Sequence, residues 1–397
     1  MMKGPAKEMA RERRVPGMKL LFASDSMKGT LSSEQTIQLL TKAAGEVFGE
    51  CECGGIPVAD GGEGTVDAVI RAIHGRKIQV LVHGPLMELQ NACYGALDEK
   101  RAILEMASAS GLPLVPEKLQ DPRSTTTYGT GELLKDAMDQ GFTDISIAIG
   151  GSATNDGGMG CMRALGVRFL DSEGKELAGK GSDLIRVAHI DCSGLDKRIW
   201  NTTFTVMCDV NNPLCGKNGA TYTFGKQKGG TPQILEELEL GMCNYREVIK
   251  KEFAVNPDEI PGSGAAGGLG AALMVFLHAT LKSGIDTVLD LIDFDQHLKG
   301  VSLVVTGEGC SDWQSCFGKV MQGVGSRCKK HGIPAVALVG TMGEGAEQIY
   351  EYGIGSIMTT VNAVMGLEDA LGNAEDLYYR AALRMFRILR IGMRIGV

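Results

Sequence analysis

Strand-like apolar runs alternate with helical patterns at both ends of this chain and not in its middle. Residues 19–24 form an apolar run. Ser32 and Gln35 then make a capping box, and Ile37, Leu40, Ala44 and Val47 follow at helical spacing. A second run at 54–59 and a helical segment at 63–73 complete a β-α-β-α opening, which predicts parallel strands with right-handed crossovers. The rhythm resumes at Leu303–Thr306, Ala335–Val339 and residues 356–361, and an amphipathic helix over 374–391 closes it. Five parallel strands drawn from both chain ends predict one discontinuous α/β domain, residues 18–78 and 286–397. Between them, residues 77–82, 92–97 and 102–106 are consecutive strands without helices, an antiparallel signature. Further runs at 145–149, 167–170 and 204–207, with helices at 131–140 and 232–253, make residues 79–285 an inserted mixed α/β domain. A cleft between two such domains is the expected place for a small-molecule site.

Composition narrows the function classes. Of 397 residues, 55 are Gly, roughly twice the usual share. They show no three-residue period, so collagen is excluded, and the plentiful aliphatic residues argue against disorder. A net charge of -8 leaves no electrostatic footprint for nucleic acid. Eleven cysteines without a C-x-x-C pair point to a reduced intracellular chain rather than a disulfide framework or zinc site. The first 17 residues read as an extension or tag, with Met18 opening the first strand. No signal peptide is expected, and the longest apolar stretch, 265–277, is too short to span a bilayer. These features predict a cytoplasmic protein with no membrane partner.

The glycines gather where apolar runs end. Asp25-Ser26-Met27-Lys28-Gly29 follows the first run, and Asp60-Gly61-Gly62-Glu63-Gly64 the second. Thr306-Gly307-Glu308-Gly309 follows the third, with Asp312, Gln314 and Lys319 just beyond. In an open parallel sheet, ligands bind outside the carboxyl ends of the strands. Gly and carboxylates at three such ends, with Lys at two of them, therefore point to one anionic-ligand site. In the inserted domain, residues 150–158 (Gly-Gly-Ser-Ala-Thr-Asn-Asp-Gly-Gly) follow a strand directly. Gly151, Ser152, Thr154, Asn155 and Gly157 offer amides and hydroxyls to a phosphate or carboxylate. Asp209 follows another strand as a metal ligand, a base or a turn initiator. Gly262, Gly264 and Gly267 match G-x-G-x-x-G without a preceding strand, which argues against dinucleotide binding and leaves close packing, or an anion-accepting helix N-terminus, as the readings. Residues 174–181 lack the Ser/Thr of a phosphate-binding P-loop. No G-x-S-x-G or H-E-x-x-H occurs. The parts suggest phosphoryl transfer, with Lys and loop amides on phosphates, carboxylates on Mg2+ and a further carboxylate accepting a hydroxyl proton. Lys28, Asp60 and Asp209 are the catalytic candidates. Asp60, Glu63, Asp156 and Asp209 are the metal candidates. Asp25, Ser26, Gly61, Gly62, Gly64, the 150–158 loop, Glu308, Asp312, Gln314 and Lys319 are the binding candidates.

Residues 25–32, 57–65, 150–158, 209–214, 224–229, 262–270 and 306–319, taken in order, resemble the bacterial glycerate kinases of the first type. The likeness runs from about Met18 to the C-terminus. It implies ATP-dependent phosphorylation of D-glycerate with Mg2+, giving 2-phosphoglycerate or, as the other regiochemistry, 3-phosphoglycerate. It also implies a flavodoxin-like domain with an insert resembling restriction-enzyme folds; a homodimer is a possible assembly. A kinase for another small hydroxy acid and a non-catalytic sugar-acid binding protein are the competing readings. Three positions depart from the family pattern. Cys310 stands where an Arg usually follows Gly-Glu-Gly, Met27 replaces a Phe, and Lys226 replaces a common Pro. The change at 310 removes a bidentate partner for a carboxylate or phosphate.

Overall fold

The computed structural model describes residues 17–27, 29–62, 64–316 and 318–395, with the side chain of Gln314 outside the description. The expected extension thus lies almost wholly outside the described residues, as do Lys28 and Glu63. Among the described residues, the strands of the two main sheets are β1 Lys19–Phe22, β2 Glu52–Gly55, β3 Arg76–His83, β4 Leu89–Ala96, β5 Arg101–Glu105, β6 Asp144–Ala148, β7 Thr203–Met207, β8 Thr280–Lys282, β9 Leu303–Thr306, β10 Ala335–Val339 and β11 Ile354–Thr359. No helix among them is long and apolar enough to cross a membrane.

The chain divides into two units, Met1–Asp60 with Ile285–Val397, and Gly61–Gly284. The first carries a five-stranded sheet in the order β11-β10-β9-β1-β2, every pair parallel. Counted along this unit alone, the order is 2-1-3-4-5, the flavodoxin-like arrangement. Its strand order reverses between β1 and β9. Leu20, Leu21 and Phe22 pair with Leu303, Val304 and Val305 at that point. Helix Ser33–Phe48 starts at the expected capping box, with Ser32 accepting from the Gln35 amide and the Gln35 side chain accepting from the Ser32 amide. Its apolar stripe and helix Ala374–Ile395 share a core with β1, in which the Phe386 ring lies 6.3 Å from Phe22 and 5.5 Å from Phe48.

The second unit carries a six-stranded sheet in the order β8-β7-β6-β5-β4-β3. β3, β4 and β5 pair antiparallel, as their helix-free spacing predicts, and β5 to β8 pair parallel. Two expectations differ from the structure here. The run at 167–170 forms strand Arg168–Leu170, which pairs with His189–Asp191 as a separate ribbon. Helix Thr65–Ile73 belongs to this unit, so the division falls at Asp60 and not near residue 78. The reason is packing: Ile70 fills the space above Gly95, and the Val66 amide donates to Glu105 Oε1 at 2.7 Å.

Candidate active site

In the first unit, β1 and β9 end side by side. The Ala23 amide donates to Val305 O at 2.9 Å and the Asp25 amide to Gly307 O at 3.0 Å, so the two acidic turns start in register. Asp25 then folds back, its Oδ1 accepting from the Ser26 amide at 2.6 Å. A bond from the Met27 amide to Leu31 O at 2.8 Å closes a tight loop before the first helix. Gly307 is required where it stands, because a methyl group there would run into the Leu338 carbonyl oxygen. Outside these strand ends lies a cavity of about 420 Å³, lined by Asp25, Ser26, Asp60, Glu308, Cys310 and Lys319 among others. The reversal of strand order is the position at which such sheets bind ligands.

Glu308 is the most perturbed of these groups. It is 6% exposed, and burial pushes its carboxyl up to about 7. The Ser315 hydroxyl and the Lys319 ammonium oppose that rise; Asp25 and Asp312 add to it. Ser315 Oγ donates to Glu308 Oε1 and accepts from the Asp312 amide, so one hydroxyl orients both acidic turns. Two further carboxylates and one lysine thus lie within electrostatic range of Glu308.

In the second unit, the carboxyl ends of β6 and β7 carry the other candidates. Asp209 Oδ1 accepts from the Gly284 amide at 3.1 Å. Gly61, at φ +90°, passes so close that a Cβ would lie 2.8 Å from Gly284 Cα. A Cβ on Gly150 would lie 3.8 Å from Gly62 Cα. Gly61, Gly62, Gly150, Gly151, Ser152 and Asp209 thus gather at one end of the second unit's sheet, whereas the sequence pattern assigns Gly61 and Gly62 to the first sheet.

The 150–158 loop serves two purposes. Gly150 and Gly151 are exposed, whereas Thr154, Asn155 and Asp156 are fully buried. Asp156 Oδ2 accepts from the Thr127 amide and hydroxyl, both at 2.8 Å, and from the Gly160 amide at 3.2 Å; Oδ1 accepts from Gly158 at 3.0 Å. Burial pushes its carboxyl up, and these donors pull against it. With both oxygens accepting hydrogen bonds, Asp156 anchors the turn. Asn155 donates to Thr221 Oγ1 at 3.2 Å, and Gly157 makes room for the Tyr245 ring. Thr154, Asn155 and Gly157 therefore lie within the packed loop, with Thr154 Oγ1 and Asn155 Oδ1 buried and without a hydrogen-bond partner among the described residues. Gly64, at φ +85°, opens helix Thr65–Ile73. The G-x-G-x-x-G glycines pack closely: a Cβ on Gly264 or Gly267 would meet the carbonyl oxygen of Pro213 or Thr154.

Residues 20–390 match the family described as the glycerate kinase family. The chain belongs to that family. It is 44% identical over 378 residues to "Glycerate 2-kinase" of Escherichia coli (strain K12), covering 95% of this chain and 99% of that one. It is 42% identical to "Glycerate kinase" of Bacillus subtilis (strain 168), covering 92% and 96%. A crystal structure of a candidate glycerate kinase 2 from Salmonella typhimurium LT2 superposes with a TM-score of 0.86. The two share 40% identity over 95% of this chain and 99% of that one.

Within this family framework, the first unit brings together Asp25, Ser26, Asp60, Glu308 and Lys319, all expected from sequence. Asp312 stands beside Glu308, and Gln314 lies in the turn Trp313–Cys316. Cys310 lines the same cavity. One functional candidate was missed. Lys228 is 2% exposed, and its Nζ donates to Ser152 Oγ at 2.7 Å and to Thr154 O at 2.6 Å. The motif 224–229 carries it in the family resemblance, but Lys226, two residues away, is exposed. Nothing in the local sequence separates the buried lysine from the exposed one.

Proposed function

We propose that this chain is an ATP-dependent glycerate kinase that phosphorylates the 2-hydroxyl of D-glycerate. The observation that carries the reading is Glu308: a buried carboxylate at a strand-order reversal, flanked by acidic turns and a lysine. A carboxyl held near 7 is matched to taking a proton from an attacking hydroxyl at neutral pH. The hydroxyl oxygen bonds to the γ-phosphorus of ATP, the bond to the β-phosphate oxygen breaks, ADP leaves, and the proton passes to Glu308. Ser315 holds Glu308 in orientation, and the Lys319 ammonium counters phosphate charge. Val361, Leu367 and Leu371 add apolar lining suited to a nucleotide base.

The donor set also fits Mg2+, because crowded carboxylate oxygens are the ligands a hard divalent cation takes. Asp25 and Asp60 would hold it. Bound there, the cation offsets charge on the transferring phosphoryl group. A cytoplasmic location accords with the use of ATP.

The E. coli relative's name specifies position 2, and we carry that regiochemistry over. Phosphorus NMR of the protein with D-glycerate, ATP and Mg2+ tests it. A new phosphomonoester doublet, coupled to the single proton at C2, is the expected result. A triplet from the C3 methylene would overturn the regiochemistry, and ATP left intact would overturn the kinase reading.

A further inference from the structure

A lysine buried to 2% exposure needs an anion, and Lys228 has none at hand. Its two partners, Ser152 Oγ and Thr154 O, are neutral. Asp156 acts on it only through space, with both carboxylate oxygens already committed to Thr127, Gly158 and Gly160. Burying an ammonium without a paired anion is costly. Burial accordingly pushes Lys228 down to about 7, against the pull of Asp156.

The surface directly beyond Ser152 has the complementary character. Gly150 and Gly151 are exposed, and Gly151 sits at φ +73°. The Gly151 carbonyl and the Ala153 amide are tied to Leu112 and Ser110, at 2.8 and 2.9 Å, which fixes the turn. The amides of Gly150, Gly151 and Ser152, by contrast, donate to no acceptor among the described residues. Ser152 Oγ accepts from Lys228, and no described residue takes its proton. Three amides and one hydroxyl are therefore left as donors on a rigid turn, with a buried ammonium behind them.

We propose that the turn at Gly150, Gly151 and Ser152 is an oxyanion seat, and that Lys228 is its positioning residue, orienting the Ser152 hydroxyl outward and supplying the charge that the bound anion neutralises. The shared chemistry is a carboxylate or phosphate oxygen; the carboxylate of glycerate and a phosphate of ATP are the two sources. The inference rests on the kinase reading for its ligands but not for its geometry. Asn155, Thr154 and Asp156, buried beneath the turn, hold its shape and leave its exposed rim to the anion.

Steady-state kinetics of Lys228→Met and Ser152→Ala, alongside the unaltered protein, provide the test. Lys228→Met should raise KM for one substrate about tenfold or more, the loss expected for a charge-assisted contact. The other KM should stay within about twofold, and kcat should fall less than the affected KM rises. A rise for glycerate assigns the seat to the substrate carboxylate; a rise for ATP assigns it to a phosphate. Ser152→Ala should shift the same KM in the same direction by a smaller factor. Thermal unfolding separates the two roles: if Lys228→Met does not fold, Ser152→Ala decides alone. Unchanged KM values in the folded variants, or a fall in kcat alone, would overturn the proposal. Should the unaltered protein make no ADP with glycerate, the kinase reading fails first. Calorimetric titration of inorganic phosphate into the unaltered protein and Ser152→Ala then tests the seat by itself, with weaker binding to the variant expected and equal binding overturning it.

Discussion

At the scale of single residues, burial decides what the chemistry of a side chain is worth. Glu308 is held at about 7 instead of its ordinary 4.5, chiefly because it is buried. In the metal-free protein the folded carboxyl holds its proton more tightly than the unfolded one. Its contribution to stability is complete below about 4.5 and is lost as pH rises through about 7. Stability should therefore fall across that window by on the order of 2 kcal/mol. Glu308→Gln should flatten this part of the profile, as read from denaturant midpoints on either side of it. Catalysis runs the opposite way: a base must be ionised, so kcat/KM should rise with pH through about 7. A flat kcat/KM across neutrality would remove Glu308 from the role. The same physics explains which residues were readable from sequence. Asp60 and Glu308 announce themselves as acids beside glycine after apolar runs, and Asp25 as an acid directly after one. Thr154, Asn155 and Asp156 carry equally polar side chains, yet all three are fully buried, and Asp156 spends both its oxygens on the loop and the neighbouring Thr127. Residue type alone does not distinguish a polar group that faces a ligand from one that braces a turn. Lys228 and Lys226 make the same point with identical chemistry.

At the scale of elements, the parallel strands and their order follow from the alternation of apolar run and helical stripe. The capping box at Ser32 fixes where the first helix begins. The rhythm does not say which sheet a helix covers. Helix Thr65–Ile73 continues the opening pattern but packs on the second sheet, because Ile70 fits over Gly95. Likewise, Arg168–Leu170 reads as a strand without revealing that its partner is His189–Asp191. The most demanding element junction is the end of β9. Gly307 lies against the backbone of β10, and its missing side chain lets the Glu308 turn follow directly on the strand. Gly307→Ala should force β9 and β10 apart and cost about 2–4 kcal/mol. Chemical denaturation should show the loss. A variant as stable as the original would mean that the turn relaxes more easily than the close packing implies.

At the scale of the whole molecule, the two units differ in how the chain supplies them. The second is one continuous segment, Gly61–Gly284, with an apolar core of its own drawn from β3 to β7 and the helices around them. The first needs both chain ends, since β1 and β2 precede the segment and β9, β10 and β11 follow it. Expressed alone, the segment 61–284 should unfold in a single cooperative transition, whereas neither flanking piece should do so. A fragment without a cooperative melt would show that its core depends on the rest of the chain. The near-contact of Gly61 with Gly284 adds a further consequence. A segment whose two ends meet can be lifted out or put in without stretching the chain that receives it, because closing the gap costs little entropy. The insert has the geometry of a cassette: its boundaries are a matched pair of splice points, each marked by a glycine. Joining residue 60 to residue 285 through a short turn defines a minimal five-stranded sheet protein, and joining Gly284 back to Gly61 defines a circular form of the insert.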